Sequence, residues 1–291
     1  MITAATLYHM SSFASSVGES TAEGWCVVCI SDTHNREGRM PILPMGDVLV
    51  HAGDFSNVGR EKEIESFMKY FTSQPHPIKI LIAGNHDITM NTDYYEAVGA
   101  YRFHHRNKAN KGGLREHALA CQSIIKKACD AGQCVYMEDS LHTIPHPIRP
   151  DVPPLRVYGS PWQPEFCEWA FNLPIGRELT RKWDAIPNDI DMLVTHGPPW
   201  GVLDASVDGT LCGCPNLRQQ VMTRIQPRLH VFGHIHEGYG TCILNKTLYI
   251  NASTCNYSYA PLNPPVVVHI PFDRNLCACA GEVKSDVNVC F

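Results

Sequence analysis

Five times along this chain a short apolar run stops at a small residue and then presents a carboxylate, a carboxamide or an imidazole. The five ends are Ser31-Asp32-Thr33-His34, Gly53-Asp54, Gly84-Asn85-His86-Asp87, Thr195-His196-Gly197 and Gly233-His234-Ile235-His236. The runs before them (Trp25 to Ile30, Val48 to His51, Ile78 to Ala83, Met192 to Thr195 and Leu229 to Phe232) read as buried strands. In an α/β sheet the loops at the strand ends converge on one edge, where ligands collect. The fold must therefore bring five polar ends together. Gly233 permits the turn that points both His234 and His236 into one space.

Between the second and third strands the period changes. Ile64, Phe67, Met68 and Phe71 fall at i, i+3, i+4 and i+7, the apolar face of a helix over Arg60 to Ser73. Strand, helix, strand implies a right-handed parallel crossover. Further helices are expected over Thr92 to Val98 with Thr92 as cap, over Leu114 to Ala131, around Leu179 to Trp183, and from Pro215 onward. Cys134 to Tyr136, Leu141 to Ile144 and Leu155 to Tyr158 read as strands. Cys242 to Leu244 and Leu248 to Ile250 read as a hairpin about Asn245-Lys246, and Val266 to Ile270 as the last strand. A basic loop, Phe103-His104-His105-Arg106-Asn107-Lys108, runs to Gly112-Gly113. With 291 residues the chain suits one large α/β domain, assigned to 24–273, between an N-terminal tail (1–23) and a C-terminal tail (274–291).

Charge and composition exclude some classes. A formal net charge of -5 argues against general nucleic-acid binding, which shows as a basic surplus. No stretch reaches the apolar length of a membrane span, and Met1 to Glu23 lacks the pattern of a secretory signal. The 13 cysteines show no disulfide framework, so free thiols in a reducing cytoplasm are expected. Cys26 and Cys29 lie three apart on a strand and face opposite sides, which removes them as a shared metal or redox pair. Cys212, Cys214, Cys277, Cys279 and Cys290 have no assigned role.

The expected metal ligands are Asp32, His34, Asp54, Asn85, His196, His234 and His236. Two carboxylates, one carboxamide and four imidazoles exceed one tetrahedral ion and suit two. Asp54 is the natural bridge, holding the ions roughly 3.5–4 Å apart as in two-metal phosphoesterases. With a bridging hydroxide the centre carries a net charge of about +1, which favours an anionic phosphoryl group. His86 is expected to protonate the leaving alkoxide as general acid, with Asp87 orienting its ring. Arg36, just past the first motif, and Trp162 are candidate substrate contacts. Each residue alone has a bland reading as a cap or strand end; five matches in order carry the assignment.

These five blocks resemble the calcineurin-like metallophosphoesterase superfamily. Cys29 to His34, Thr195-His196-Gly197-Pro198-Pro199, Phe232 to Gly240 and Ile250-Asn251-Ala252-Ser253-Thr254 look more narrowly like the metallophosphoesterase-domain-containing family of class III-type phosphodiesterases. The likeness extends to Phe171-Asn172-Leu173-Pro174. It implies a sandwich of two mixed β-sheets flanked by α-helices. It implies one metal held by Asp32, His34, Asp54 and His236, and another by Asp54, Asn85, His196 and His234. Manganese is implied as the working metal, with iron or zinc as alternatives. Some relatives carry glycine at the position of His234, so the imidazole here implies a fully loaded second site. Asn57 stands where purple acid phosphatases use tyrosine, and no Asp-Arg-Gly follows Gly53-Asp54, which separates the chain from the protein phosphatases.

The resulting expectation is a cytoplasmic, dinuclear-metal phosphodiesterase that hydrolyses small phosphodiesters by a metal-bridging hydroxide. Cyclic nucleotides enter by the resemblance alone. A phosphomonoesterase or nucleotidase is the enzymatic alternative. A metal-bearing interaction module with little turnover is the other, and the intact ligand set leans against it.

Overall fold

In β1 (Gly24–Ile30), Trp25, Val27 and Cys29 face one way while Val28 and Ile30 face the other, and all five are buried. A strand covered on both faces needs a layer on each side. The computed structural model, which describes residues 23–106 and 112–281, supplies both. The N-terminal tail short of Glu23, Asn107 and Lys108 of the basic loop, and Cys290 lie outside the described residues.

The strands in chain order are β1, β2 (Val48–His51), β3 (Ile78–Leu81), β4 (Val135–Tyr136), β5 (Ser140–Ile144), β6 (Leu155–Ser160), β7 (Gln163–Pro164), β8 (Asn172–Leu173), β9 (Met192–Thr195), β10 (Leu229–Phe232), β11 (Gly240–Leu244), β12 (Thr247–Asn251), β13 (Val266–Pro271) and β14 (Cys279–Ala280). Two six-stranded sheets result, ordered β14-β13-β1-β2-β3-β4 and β11-β12-β10-β9-β6-β5. In the first, β1 through β4 are parallel, β13 runs antiparallel to β1, and β14 runs antiparallel to β13. In the second, β6, β9, β10 and β12 are parallel, with β5 and β11 antiparallel at the edges. Both sheets are mixed, as expected. Val27, Val50 and Ile80 from one sheet meet Val157, Val194 and Val231 from the other in a shared apolar layer.

Helices cover the outer faces. On the first sheet lie α1 (Glu61–Ser73) and α2 (Leu114–Asp130), with Ile64, Phe67, Phe71, Cys121 and Ile125 packed on Val28, Leu49 and Leu81. Each such buried side chain contributes about 1.5–3 kcal/mol. On the second lie α3 (Arg177–Asp184) and α4 (Pro215–Gln220), which pack Trp183, Leu179 and Leu217 on Leu193, Phe232 and Tyr249. Phe67 stacks between Phe55 (4.7 Å) and Phe71 (5.2 Å) and takes the His51 ring edge-on at 4.9 Å. Helix α1 thus braces the strand end that carries Asp54.

Three local expectations change. The helix after β3 runs longer than Thr92 to Val98, through Thr92–Tyr94, a wider-wound Tyr95–Gly99 and Ala100–Arg102. Its cap is Asn91, whose Oδ1 accepts from the Tyr94 N–H at 3.1 Å, while Thr92 is already the first helical residue and its hydroxyl accepts from Gln122 Nε2 at 2.8 Å. Cys242 is disulfide-bonded rather than free. Past residue 273, β14 adds an edge to β13, and Arg274 reaches the Asp191 carboxylate at 2.7 Å. Among the described residues no helix is long and apolar enough to cross a membrane.

Candidate functional site

The expected ligands stand on a backbone that L-residues seldom adopt. Asp32 (φ 52°), His34 (φ 44°), Asp54 (φ 55°) and His234 (φ 68°) all lie in the left-handed region, at a cost of roughly 1–2 kcal/mol each. Cross-loop bonds hold them there: Asp32 N–H to Gly53 O at 2.9 Å, His34 N–H to Asp54 O at 3.1 Å and Gly233 N–H to His196 O at 2.9 Å. The Thr254 N–H donates to Ser31 O at 2.8 Å and ties one sheet to the other at this edge. Gly53, at φ 98°, is required: a Cβ there would lie 2.6 Å from His196 Nδ1 and 2.8 Å from Ala83 O. Gly53→Ala should displace the His196 ring and weaken metal binding by about 10–100-fold, the effect of disturbing a ligand's support. Chelator competition measures this, and unchanged affinity in a folded Gly53→Ala protein would refute it.

Three groups of side chains converge: Asp32, His34 and His236; His34, Asp54 and His86; and Asp54, His196 and His234. Within each group the donor atoms lie no more than 4.8 Å apart. Asp54 Oδ2 is 3.4 Å from His196 Nε2 and 3.9 Å from His34 Nε2, so its carboxylate joins the two sides. Asp32 Oδ1 is 3.4 Å from His236 Nε2, and Asn85 Oδ1 is 3.0 Å from His196 Nε2. The donor set fits divalent ions for a further reason. His196 Nδ1 is bonded to Ala52 O at 2.9 Å and His236 Nδ1 to Asn256 O at 3.1 Å, which places their protons outside and turns both Nε2 atoms inward.

Burial opposes charge on these groups, and their mutual attraction overrides it for some. Asp32 is desolvated, yet the His236 hydrogen bond and charge hold its carboxyl well below the usual range. Asp54 is likewise held low, chiefly by His196. Burial pushes His34 and His234 down to about 3, keeping both imidazoles neutral. His196 is buried as well, but the Asp54 and Asp32 carboxylates raise it to about 9. Anionic carboxylates are the form a metal requires.

His86 sits at the mouth. Its N–H donates to Asp54 Oδ1 at 2.7 Å, and its ring stacks on Trp169 at 4.1 Å and meets His34 edge-on at 4.6 Å. Asp87 does not orient it. His86 Nδ1 is bonded to Asn57 O at 2.7 Å, while the Asp87 carboxylate turns inward to the N–H groups of Gly84, Asp54, Phe55 and Ser56. Trp162 also stands apart from its expected role. Its indole N–H is spent on Asp139 at 3.0 Å, and Lys182 and Phe171 cover its ring. Arg36 has a buried Nε without a partner among the described residues.

Other contributors lie outside the five ligand motifs. Tyr259, with φ 56°, sets its ring 4.9 Å from His34 and 5.1 Å from His236. Ser253 donates to Asp32 Oδ2 at 3.0 Å. Two buried histidines brace the motif threonines: His51 Nε2 lies 2.9 Å from Thr33 Oγ1, and His230 Nε2 lies 2.9 Å from Thr195 Oγ1.

Glu37, 8% exposed, sits under this layer beside Thr33, and burial pushes its pKa up to about 7. A carboxyl raised in the folded state binds a proton that the unfolded chain releases. Stability therefore falls as pH rises from about 4.5 to about 7, by up to about 3 kcal/mol. Glu37→Gln should flatten that window in urea titrations at pH 5.5 and 8; parallel profiles for both proteins would rule it out.

A calcineurin-like phosphoesterase family model matches residues 27–238. Metallophosphoesterase domain-containing protein 1 of Homo sapiens is 43% identical over 250 residues, covering 85% of this chain and 72% of that protein. A UPF0046 protein of Caenorhabditis elegans is 35% identical over 249 residues, covering 84% of this chain and 59% of its own length. A solved structure from Thermus thermophilus shares the fold, with a TM-score of 0.51 and 11% identity over 90% of this chain and 100% of that one. Two mixed sheets, convergent His and Asp groups and these likenesses agree: the chain belongs to the calcineurin-like phosphoesterases, alongside the metallophosphoesterase-domain-containing proteins.

Proposed function

We propose that this phosphoesterase is a two-metal phosphodiesterase acting on small phosphodiesters, cyclic nucleotides among them, with manganese as the working ion and iron or zinc as alternatives. The observation that carries the reading is the Asp54 carboxylate, buried between His34 and His196 and shared by two of the three convergent groups. Asp32, His34, Asp54 and His236 would hold one ion, and Asp54, Asn85, His196 and His234 the other. Bound there, two divalent ions would neutralise phosphoryl charge and lower the pKa of a water to yield the nucleophile.

The protein's own part is positioning and proton transfer. Because Asn57 O accepts from Nδ1 of His86, Nε2 is left to deliver a proton to the departing alkoxide. Stacking on the Trp169 face at 4.1 Å fixes the plane of the ring at the entrance. The half-exposed Tyr259 ring borders the entrance and limits what can approach His34 and His236.

The test is hydrolysis of bis-p-nitrophenyl phosphate and of a cyclic nucleotide by metal-stripped protein with manganese restored. His234→Ala should lose most of the activity on both. His86→Ala should lose about 10²–10⁴-fold on the cyclic nucleotide, whose alkoxide needs a proton, and far less on the nitrophenyl ester, whose leaving group does not. Faster turnover of a nitrophenyl monoester than of the diester would move the reading to a phosphomonoesterase. No turnover with two metals bound would remove the enzyme reading.

A further inference from the structure

Away from the metal-binding edge, the C-terminal end of α2 holds two thiols that the proposed reaction does not use. Cys129 lies in the last turn of α2, and Cys134 immediately precedes β4. Gly132, at φ 68°, ends the helix: its N–H donates to Cys129 O and the Gln133 N–H to Ala128 O, both at 2.9 Å. Such a left-handed stop turns the chain back on itself. The two Sγ atoms consequently lie 3.7 Å apart. Both are free thiols.

Their surroundings differ in a useful way. Cys134 is 5% exposed, whereas Cys129 is half-buried and lines a surface groove of about 390 Å³ together with Leu119, Gln122, Ile125, Met90 and Tyr136. That volume falls in the range of small-molecule sites. One sulfur is therefore reachable by a small molecule, and the other is sheltered directly behind it. The Cys134 thiol hydrogen-bonds the Cys129 sulfur and lowers its pKa to about 7. The other charges facing the pair are Lys126 and Asp130 of α2, which oppose one another, and Lys79 of β3 beside Cys134. A thiol with a pKa near ambient pH is close to the optimum for attacking a disulfide.

We propose that Cys129 and Cys134 form a thiol-modification site for low-molecular-weight disulfides, with oxidised glutathione as the representative reagent. The Cys129 thiolate attacks one sulfur of the reagent, its S–S bond breaks, and one thiolate leaves while a mixed disulfide forms at Cys129. The Cys134 thiol then loses its proton, attacks the Cys129 sulfur, and releases the second thiolate. The two protein thiols are oxidised by two electrons and one reagent disulfide is reduced to two thiols. Closure requires the sulfurs to move from 3.7 Å to about 2.05 Å.

The site is tested on the full chain with oxidised glutathione at neutral pH, followed by alkylation and peptide mass spectrometry, with no dependence on turnover. The expected product is a Cys129–Cys134 linked peptide that appears before exposed Cys167 is modified. Cys134→Ser should stop at the mixed disulfide on Cys129. Cys134→Ala should stop at the same mixed disulfide and also shift the midpoint of Cys129 alkylation upward from about pH 7, since alanine removes the donor to that sulfur, whereas the serine hydroxyl keeps one. Modification of Cys129 no faster than Cys167, or a mixed disulfide that persists in the unmutated chain, would overturn the proposal.

Discussion

Asp54→Ala is expected to lower the proposed manganese-dependent diester hydrolysis by at least about 10³-fold, and to reduce the bound metal from the proposed two ions per chain to one or none. Two of the three convergent groups share this residue, and its Oδ2 lies 3.9 Å from His34 Nε2 and 3.4 Å from His196 Nε2. Removing a single preorganised charge-stabilising donor from an active site costs about 10²–10³-fold. Asp54 removes more, because both proposed ion sites lose the same ligand. The substitution also takes away the Oδ1 acceptor of the His86 N–H, so the proposed acid loses its anchor in the same step. Asp54→Asn separates the effects. It keeps an oxygen for the His86 amide but discards the charge, and should retain the fold while still losing metal. Metal content by atomic emission and initial rates on bis-p-nitrophenyl phosphate give the two readouts. Two ions and undiminished turnover in Asp54→Asn would end the two-metal reading.

The candidate centre was legible because its residues sit directly at strand ends, where sequence neighbours remain spatial neighbours. An apolar run followed by Asp32-Thr33-His34 or Gly53-Asp54 states both the strand and what lies beyond it. The layered sheets were legible for the same reason: near-continuous apolar strands and one period-3.6 helix call for cover on both faces. What failed were arguments from adjacency alone. Asp87 follows His86, but the turn sends consecutive side chains to opposite sides, and the backbone carbonyl of Asn57, from another loop, takes its place. Trp169 and Tyr259 come from irregular segments without periodicity, and a left-handed φ at Tyr259 cannot be read from the letters around it. Trp162 looked available because nothing in its neighbourhood announces the Asp139 carboxylate that takes its N–H. His51 and His230 read as ordinary strand residues, yet each holds the threonine of a neighbouring motif, a pairing that exists only once the strands are in register.

The inward turn of Asp87 carries the second large effect, and it falls on stability. The side chain is fully buried and accepts from Gly84 N–H at 2.8 Å, Ser56 N–H at 2.9 Å, Asp54 N–H at 3.0 Å, the more distant Phe55 N–H at 3.4 Å and Ser56 Oγ–H at 2.6 Å. Burial and the Asp54 carboxylate push its pKa up, while the Ser56 and Gly84 donors pull it down. The net effect raises it to about 8, and in either protonation state the backbone N–H groups of Gly84, Asp54 and Ser56 hold the two oxygens in place. Asp87→Ala leaves several buried N–H groups without a partner, each costing about 1–3 kcal/mol before relaxation or water entry. A net loss of about 4 kcal/mol or more is expected, or roughly 10 °C in Tm for a chain of this size. Asp87→Asn keeps the shape but aims an NH₂ at other donors, and should fall between alanine and the parent. An orienting role for His86 makes the contrary forecast, a slower rate at unchanged Tm. If melting of Asp87→Ala matched the parent while its pH–rate profile moved, Asp87 would return to the chemistry. If Tm drops with metal affinity alongside it, Asp87 is the post on which the Gly53-Asp54 and Gly84-Asn85 loops are hung.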